Sequence, residues 1–304
     1  MCTVDTAAKK PNQVDRSRLP RNAALMATRI EREAWHDIAC AGTRAAPRFA
    51  LETQAFGETL VLRSGALDSL LFNRVIGLGN RGAVAEVDID AILRGYGDRG
   101  IDRYWIHVDG IAGSGQLAER LAARGLECHS RRWAKFMRDV TPYRPGRSKL
   151  GLRRAARCDA GEIAAIVAPS FDLPAPGGVP FAALIDRRGW HLFVATADDR
   201  VAAVAGLYVS GAVGYHAFAA TRPELRNQGA QSLLIQARIE TARALGCRWV
   251  VTETGAPRDA DEANPSFQNI ERAGFTPVGC RLNFGLPGTT WAAPDASHDS
   301  SQAA

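Results

Sequence analysis

Several features that mark common protein classes are missing from this sequence. The 304-residue chain holds no apolar run of the roughly 18 residues that a membrane-spanning helix needs, so we expect no membrane insertion. The first 20 residues contain no apolar core segment, which argues against a secretory signal and favours a cytoplasmic location. No G-x-x-x-x-G-K-S/T motif occurs, and this excludes a Walker-type phosphate loop.

Cysteine is scarce and scattered. None of the six cysteines belongs to a C-x-x-C pair, and no histidine is placed to complete a zinc site, so we expect no bound metal. Such cysteines pack as small apolar residues and stay reduced in the cytoplasm, with a catalytic role for one of them as the alternative. They are Cys2, Cys40, Cys128, Cys158, Cys247 and Cys280.

The composition is that of a soluble globular protein with a modest positive charge. Hydrophobic residues make up 46% of the chain and charged residues 23%. The length suffices for two domains of about 150 residues each. The formal charge of +6 suits an anionic ligand such as a coenzyme, but no basic–aromatic stripe accompanies it. We therefore expect no nucleic acid among the partners.

One stretch in the second half, residues 215–245, predicts a strand that leads directly into a helix. The apolar run 215–220 is typical of a strand, residues 221–228 form a polar turn, and a helical pattern begins at Gly229. The first turn of a helix has unpaired backbone N–H groups and a positive dipole end. Gly229 removes a Cβ where a ligand would approach, and Arg226 adds charge, so we predict a phosphate or pyrophosphate site. An ordinary surface helix is the alternative for this stretch alone.

The elements that follow make the prediction more specific. Residues 248–254 are typical of a strand, residues 264–275 of a short helix that ends at a glycine, and residues 276–286 of a last strand. This order resembles the acetyl-CoA-dependent N-acetyltransferases of the GNAT superfamily. The resemblance is carried by Arg226-Asn227-Gln228-Gly229-Ala230, which matches the pyrophosphate loop, and by residues 264–275, which match a second signature.

Two positions depart from the family pattern. The loop usually reads R/Q-x-x-G-x-G/A, and its last position holds Gln231. This longer side chain can point away, because only backbone N–H groups need to face the phosphates. The family often carries a tyrosine four residues before its Gly-Phe pair, where it protonates the leaving thiolate, but Ile270 stands there. The general acid is therefore unassigned.

The resemblance implies acetyl-CoA as co-substrate and direct transfer of its acyl group to an amine. The oxyanion donor is expected from the backbone of Phe218, Ala219, Ala220 and Thr221, in the strand before the loop. Further coenzyme contacts are expected from the loop, the first helical turn and the second signature, with helix capping as the alternative for Asn264 and Asn269. These contacts are Arg226, Asn227, Gln228, Gly229, Ala230, Gln231, Ser232, Asn264, Ser266 and Asn269.

Glu253 is the candidate general base. It lies in an otherwise apolar strand, where burial disfavours the charged carboxylate and so prepares it to accept a proton. A strand-end carboxylate paired with an arginine is the alternative. His216 on the neighbouring strand is a candidate proton relay or a packed core histidine. The resemblance also implies that the loop at 169–180 borders the acceptor site, which makes Phe171 and Asp172 candidate acceptor contacts; ordinary loop residues are the alternative.

The first half repeats part of the second. A strand, a short helix, a glycine stop and a basic–aromatic strand recur in the same order, with residues 100–108 matching 246–252 and residues 121–126 matching 270–275. We therefore predict an α/β (α+β) protein of two tandem GNAT-like domains, each a mixed, mostly antiparallel central sheet flanked by helices. The alternative is one GNAT domain behind an unrelated α/β domain.

The N-terminal domain is expected to be a degenerate copy that no longer binds coenzyme. Its G-x-G-x-x-G at 77–82 precedes a helical pattern that begins only near Asp88, outside the register of a phosphate loop, and a second glycine loop at 110–115 is also treated as a plain loop. The predicted organisation is a disordered tail at 1–20, a degenerate GNAT-like domain at 21–140, a linker at 141–150, a GNAT N-acetyltransferase domain at 151–287 and a disordered tail at 288–304.

The expected function is acetyl-CoA-dependent N-acetyl transfer to an amine of a small molecule or a protein, by a monomer or a homodimer. A non-catalytic acyl-CoA-binding sensor or scaffold is the alternative, because one domain is degenerate and the tyrosine acid is missing. Aminoacyl transfer from charged tRNA, which other tandem GNAT-like proteins perform, is disfavoured by the low net charge. The loops that select the acceptor carry no readable signature.

Overall fold

The computed structural model describes residues 19–80, 86–110, 114–146, 148–258, 262 and 264–290. The predicted tails at 1–20 and 288–304 lie outside these residues, except for 19–20 and 288–290.

The described chain forms twelve strands and seven α-helices. The strands are β1 Glu52–Phe56, β2 Thr59–Arg63, β3 Arg74–Leu78, β4 Trp105–Asp109, β5 Glu127–Cys128, β6 Trp133–Asp139, β7 Gly151–Arg154, β8 Trp190–Ala197, β9 Arg200–Ser210, β10 Val213–Thr221, β11 Trp249–Gly255 and β12 Thr276–Gly285. The helices are α1 Ala23–Ala45, α2 Glu86–Gly97, α3 Ser114–Ala122, α4 Ala160–Ser170, α5 Val179–Ala182, α6 Ala230–Ala244 and α7 Pro265–Arg272.

All twelve strands belong to one sheet. Its order is β1-β2-β3-β4-β12-β6-β11-β10-β9-β8-β7, and β5 pairs with β12 beside this path. The pairs β3–β4 and β10–β11 are parallel, and the other pairs are antiparallel. The prediction of a mixed, mostly antiparallel sheet flanked by helices is therefore confirmed.

The two halves of the chain exchange their last strands. β12, the last strand of the second half, lies between β4 and β6, whereas β6, from the first half, lies between β12 and β11. β6 pairs with β11 along all seven of its residues, from Trp133 to Asp139. Strands at the centre of the sheet thus alternate between the halves, and backbone hydrogen bonds join the halves there.

The repeat seen in the sequence has a structural counterpart. Gly125 follows α3 and Gly274 follows α7 in the left-handed conformation, with φ of +79° and +83°. Behind them, the Leu126 N–H donates to a carbonyl five residues back at 3.2 Å, and the Phe275 N–H does the same at 3.3 Å. Both are the six-to-one hydrogen bond of a glycine-terminated helix, so the two helices end in the same way.

Helix α1 joins the two halves across the middle of the sheet. Ile30, Ala34 and Ile38, spaced on one helical face, are at most 3% exposed. The Trp35 ring makes edge contacts with Phe72 of the first half and Phe181 of the second, with centroids 6.1 Å apart in both pairs. Aromatic pairs at such separations contribute more to stability than their buried area alone would give. One face of α1 therefore packs against both halves of the chain.

Two connections shape the chain near the cleft. The polar run 129–132 leaves the sheet and separates β5 from β6. The short helix α5 ends at Ala182. The next residues continue in tight i to i+3 turns, and Asp186 with φ of +59° leads the chain out of them.

No helix of the described ranges is long and apolar enough to cross a membrane. Among the same residues, His, Cys, Asp and Glu side chains nowhere cluster in a group that would hold a metal ion. The described cysteines are free thiols, and Cys2 lies outside the described residues.

Candidate active site

Strands β10 and β11 part at the centre of the sheet. They pair in parallel over four positions, the last of which joins His216 to Thr252. Beyond it, β10 continues against β9 and β11 continues against β6. The register of β10 shifts between His216 and Phe218, so a bulge lies where the strands separate. A cleft of about 740 Å³ is lined by both strands and by the helices that follow them.

The predicted pyrophosphate loop borders this cleft. Asn227 and Gly229 have φ of +63° and +83°, in the left-handed region that these two residue types tolerate best. The backbone N–H groups of Ala230, Gln231 and Ser232 donate to no acceptor among the described residues. Free donors at the positive end of a helix are groups that favour a bound anion.

Ser148 supports the loop from the segment that joins β6 to β7. Its hydroxyl donates to the Gln228 carbonyl at 2.7 Å. A Cβ on Gly229 would lie 3.3 Å from the Ser148 Cβ, so a larger residue would crowd this contact and also strain the backbone. Gln228 is not among the residues that line the cleft, unlike the other predicted loop residues. No sequence motif marked Ser148.

Helix α7 forms another wall of the cleft. The Asn264 side-chain oxygen accepts from the Phe267 N–H at 3.0 Å, and its amide donates to the Gly255 carbonyl at 2.7 Å. The Thr254 hydroxyl donates to the Ser266 hydroxyl at 3.3 Å. Asn264 thus acts as a helix cap and ties α7 to the end of β11.

Gln231 connects α6 to α7. Its Oε1 accepts from Asn269 Nδ2 at 2.5 Å, and its Nε2 donates to the Ser266 hydroxyl at 3.4 Å. The side chain that replaces the family's Gly or Ala therefore spans the space between the two helices. Ile270, at the position of the family tyrosine, is buried and offers no proton.

Glu253 lines the cleft within a set of buried charges. Its Oε2 is 3.3 Å from Arg281 Nη1 and 3.5 Å from Lys135 Nζ, and the Tyr215 hydroxyl donates to its Oε1 at 3.2 Å. Burial, together with the charge of Glu253, raises the pKa of Tyr215 well above its ordinary value, so this hydroxyl remains a donor. The arginine pairing considered from the sequence is present, and the carboxylate side chain is only 6% exposed.

The buried charges connect both halves of the chain. Glu31 of α1 is bound by Arg281 of β12 and Lys135 of β6, and Arg281 also lies 3.3 Å from Asp109 of β4. Burial opposes ionisation of Glu31, but nearby cations, Arg281 foremost, outweigh it and hold its pKa well below the ordinary value. The same balance, with Lys135 foremost, lowers the pKa of Asp109.

His216 lies on the opposite face of the sheet from Glu253. It pairs directly with Thr252, and consecutive residues of a strand point to opposite faces, so Glu253 projects away from it. His216 packs on the Phe275 ring with centroids 5.5 Å apart, and its Nε2 has no hydrogen-bond partner in the described part of the chain. Burial and the charge of Arg238 lower its pKa well below the ordinary value, so the ring is neutral. No direct proton relay joins the two residues.

Of the two predicted acceptor contacts, one faces the cleft. Phe171 lines it and stacks on Phe181 with centroids 6.2 Å apart. Asp172, with φ of +53°, instead turns to Arg103, whose Nη2 lies 3.4 Å from its carboxylate. Asp172 is therefore part of a partly exposed ion pair and is not among the residues that line the cleft.

The first half supplies cleft residues that the sequence did not reveal. Trp35 of α1, Leu71, Arg74 of β3 and Trp133 of β6 line the same cleft as Phe171. No motif marks these positions, because they are brought to the cleft only by the strand exchange and by α1 crossing the sheet. The first half thus forms part of the site.

Comparison with known proteins assigns a family to the segment that supplies β10, α6 and β11 to this cleft. Residues 181–258 match the family model of the acetyltransferase (GNAT) domain. The chain carries a GNAT acetyltransferase domain. The predicted superfamily is thereby confirmed, and the match supports an enzyme of the acetyltransferase class, in which acyl-CoA is in general the donor. A search of curated proteins finds no match.

Solved structures share the fold of this GNAT protein. A GCN5-related N-acetyltransferase from Kribbella flavida matches it with a TM-score of 0.56 and 17% identity, over 83% of this chain and 95% of its own. A tandem GNAT protein from the clavulanic acid biosynthesis pathway, solved without AcCoA, matches with a TM-score of 0.55 and 16% identity, over 82% of this chain and 86% of its own. A GCN5-related N-acetyltransferase from Sphaerobacter thermophilus matches with a TM-score of 0.51 and 14% identity, over 69% of this chain and 70% of its own. The match to the tandem protein supports a tandem arrangement.

Proposed function

We propose that this protein transfers an acetyl group from acetyl-CoA to the amine of a small molecule or a protein. The observation that carries the proposal is the parting of β10 and β11 beside the three unpaired N–H groups of α6. The first feature offers a channel for an extended thioester arm, and the second an anion site for the pyrophosphate. Both lie on one cleft.

The coenzyme is assigned to the second half. Its pyrophosphate accepts from the N–H groups of Ala230, Gln231 and Ser232, and the exposed Arg226 adds positive charge beside them. Its pantetheine arm extends between the parted strands, where residues 218–221 follow the bulge. A backbone N–H of this segment stabilises the oxyanion, because a fixed donor needs no reorganisation as the charge develops.

The reaction proceeds by direct attack. The neutral amine nitrogen forms a bond to the thioester carbonyl carbon, and the C–S bond of the tetrahedral intermediate then breaks to release the thiolate. Glu253, held by Arg281 and Tyr215, accepts the proton that the amine nitrogen loses, directly or through a water. Because Ile270 has no acidic proton, the thiolate is protonated by another group or by solvent.

His216 has a separate role in this proposal. Its neutral ring and unpartnered Nε2 lie on the face of the sheet that α6 and α7 cover, away from Glu253. We therefore assign it to hydrogen bonding with the coenzyme arm, and leave proton transfer from the amine to Glu253.

Calorimetric titration with acetyl-CoA, beside free CoA, tests the coenzyme site. We expect micromolar binding at a stoichiometry near one. Arg226→Glu should abolish binding, whereas Arg243→Glu, which makes the same charge change at the exposed far end of α6, should not. Equal affinity in all three proteins would contradict the loop assignment, and two sites would contradict a degenerate first half.

Release of free thiol tests acetyl transfer. Acetyl-CoA is incubated with a panel of primary amines, and thiol release that depends on the amine and on Glu253 is the expected result. Tight binding without release for any amine would favour a non-catalytic acyl-CoA-binding module. Absence of binding would contradict both functions.

A further inference from the structure

Arg74 lies in the cleft with part of its hydrogen-bonding capacity unused. It belongs to β3 in the first half of the chain, and its side chain is 3% exposed. Its Nη1 is 3.9 Å from Glu31 Oε1, and its Cζ lies 4.0 Å from the centre of the Trp35 ring. Nε and Nη2 have no hydrogen-bond partner among the residues that the structure describes.

The two unused donors share one edge of the guanidinium group. Stacking on Trp35 occupies a face of this planar group and leaves the edge free. The Nε–H and Nη2–H bonds point in the same direction, at a spacing that matches the two oxygens of a carboxylate. Buried charged donors in native proteins usually have a partner, and because Arg74 lines the cleft, a ligand bound there can supply one.

The neighbouring carboxylates are committed to other cations. Glu31 is bound closely by Arg281 and Lys135 and lies farther from Arg74. Asp109 also pairs with Arg281, at 3.3 Å. Among the buried cations of this cluster, Arg74 is therefore the one whose charge is least compensated by a direct contact, which favours an anionic ligand.

Aromatic side chains accompany Arg74 on this cleft. Trp35, Trp133, Phe171 and Phe181 line it and suit an apolar group. We infer that Arg74 binds the carboxylate of the acetyl acceptor, which makes the acceptor an amino acid, or a related amino carboxylate, with an apolar side chain. The inference rests on the proposed acetyl transfer and adds that the first half of the chain selects the acceptor.

Paired acceptors test this inference. Full-length protein is assayed at saturating acetyl-CoA with leucine, methionine, phenylalanine and tryptophan, and with the carboxamide of each, which keeps the amine and side chain but lacks the carboxylate. We expect kcat/KM for at least one acid to exceed that of its amide by roughly 10- to 100-fold, as for a hydrogen-bonded charge. Arg74→Lys should remove this preference, so that acid and amide react with equal kcat/KM, because an ammonium group lacks the paired, parallel N–H donors of a guanidinium.

Arg63 provides the matched control. It lies on the adjacent strand β2, is buried, stacks over the Tyr96 ring at 5.2 Å and has the same two unpartnered nitrogens. It does not line the cleft. Arg63→Lys replaces another buried guanidinium by an ammonium group and should keep the preference for the acid. Loss of the preference in both variants would indicate a structural effect and overturn the inference.

Equilibrium binding separates this inference from the proposed reaction. Each acid and amide is titrated into the complex of the protein with CoA. Binding of an acid that Arg74→Lys abolishes, without acetylation of any amine, would support the carboxylate site and contradict the reaction. Acetylation in which amides equal acids, or in which Arg74→Lys keeps the preference, would overturn the site and leave the reaction intact. Acids that neither bind nor react would also overturn the carboxylate site.

Discussion

Arg281 and Glu31 form an ion pair in which neither side chain is exposed, although 250 residues separate them in the sequence. Arg281 Nη1 donates to Glu31 Oε1 at 3.0 Å, and a second contact joins Nη2 to Oε2. Glu31 lies on α1 and Arg281 on β12, so this pair connects the start of the first half to the end of the second beneath the proposed site.

Glu31→Gln should destabilise the protein strongly. It would leave Arg281 and Lys135 buried with one counter-charge fewer, and removing one partner of a buried pair typically costs about 3–5 kcal/mol. Urea unfolding followed by circular dichroism measures the change. Glu33→Gln is the control, because Glu33 pairs with Arg29 on the helix surface, where such pairs contribute about 0.3–0.5 kcal/mol. Equal losses of unfolding free energy in the two variants would contradict the prediction that the buried pair stabilises the protein more than the surface pair.

Stability should fall on acidification. The pKa values of Glu31 and Asp109 are lowered in the folded protein from the ordinary 4.5 and 3.8. A carboxylate with a lowered folded-state pKa contributes its full stability above the ordinary value and loses it as the pH falls through the folded value. The melting temperature should therefore drop below about pH 4, and less steeply in Glu31→Gln. A melting temperature that rises on acidification would contradict the prediction.

Glu253→Gln should slow acetyl transfer while the protein still binds acetyl-CoA. Loss of a general base typically lowers the rate about 10²- to 10⁴-fold, and the decline in rate on the acid side of the pH profile should flatten. Tyr215→Phe is the control, because it removes the 3.2 Å hydrogen bond to Glu253 but keeps the carboxylate. A Glu253→Gln rate near that of the native enzyme would assign the base elsewhere.

Gln231→Ala should tighten acetyl-CoA binding. The Gln231 side chain joins α6 to α7 through Asn269 and Ser266, and a coenzyme arm that enters between these helices must displace these hydrogen bonds. Each contributes about 1 kcal/mol, so the loss of both should lower the dissociation constant roughly 30-fold, measured by calorimetry. Gln236→Ala, which removes an exposed i,i+4 contact with Glu240 on the same helix, is the control. Weaker binding would contradict this prediction and show that the hydrogen bonds of Gln231 to α7 support the coenzyme site.

Residues 141–304 should not fold alone. Without β6, β11 loses its partner on one side and β12 loses the strand between itself and β11. We expect this fragment to be insoluble, and to become soluble when residues 1–140 are coexpressed with it. A soluble, cooperatively melting fragment that binds acetyl-CoA would contradict this expectation.

The local features of the second half followed from the sequence. A strand, a polar turn with Gly229 and an amphipathic helix determine an unpaired helix N-terminus, because helical hydrogen bonding begins only after the first turn. The glycine stops at Gly125 and Gly274 likewise indicated a repeat, since both positions need a left-handed backbone. Side-chain alternation along a strand was enough to assign the residues of β10 and of β11 to alternate faces of each strand. It did not show which residues of the two strands lie directly opposite each other.

The contacts between distant segments were decided only by the tertiary structure. The exchange of β6 and β12 brings Lys135 and Arg281 to Glu31, and the path of α1 brings Trp35 to Arg74. His216 and Glu253, adjacent candidates in the sequence reasoning, fall on opposite faces because of strand register. The register of β10 on β11 depends on pairs 36 positions apart, such as His216 and Thr252. The strand order at the centre of the sheet depends on pairs more than a hundred positions apart, between β11 and β6 and between β12 and β4. No local pattern of residues encodes either. The sequence thus determined the proposed coenzyme loop, and the tertiary structure decided which residues face it.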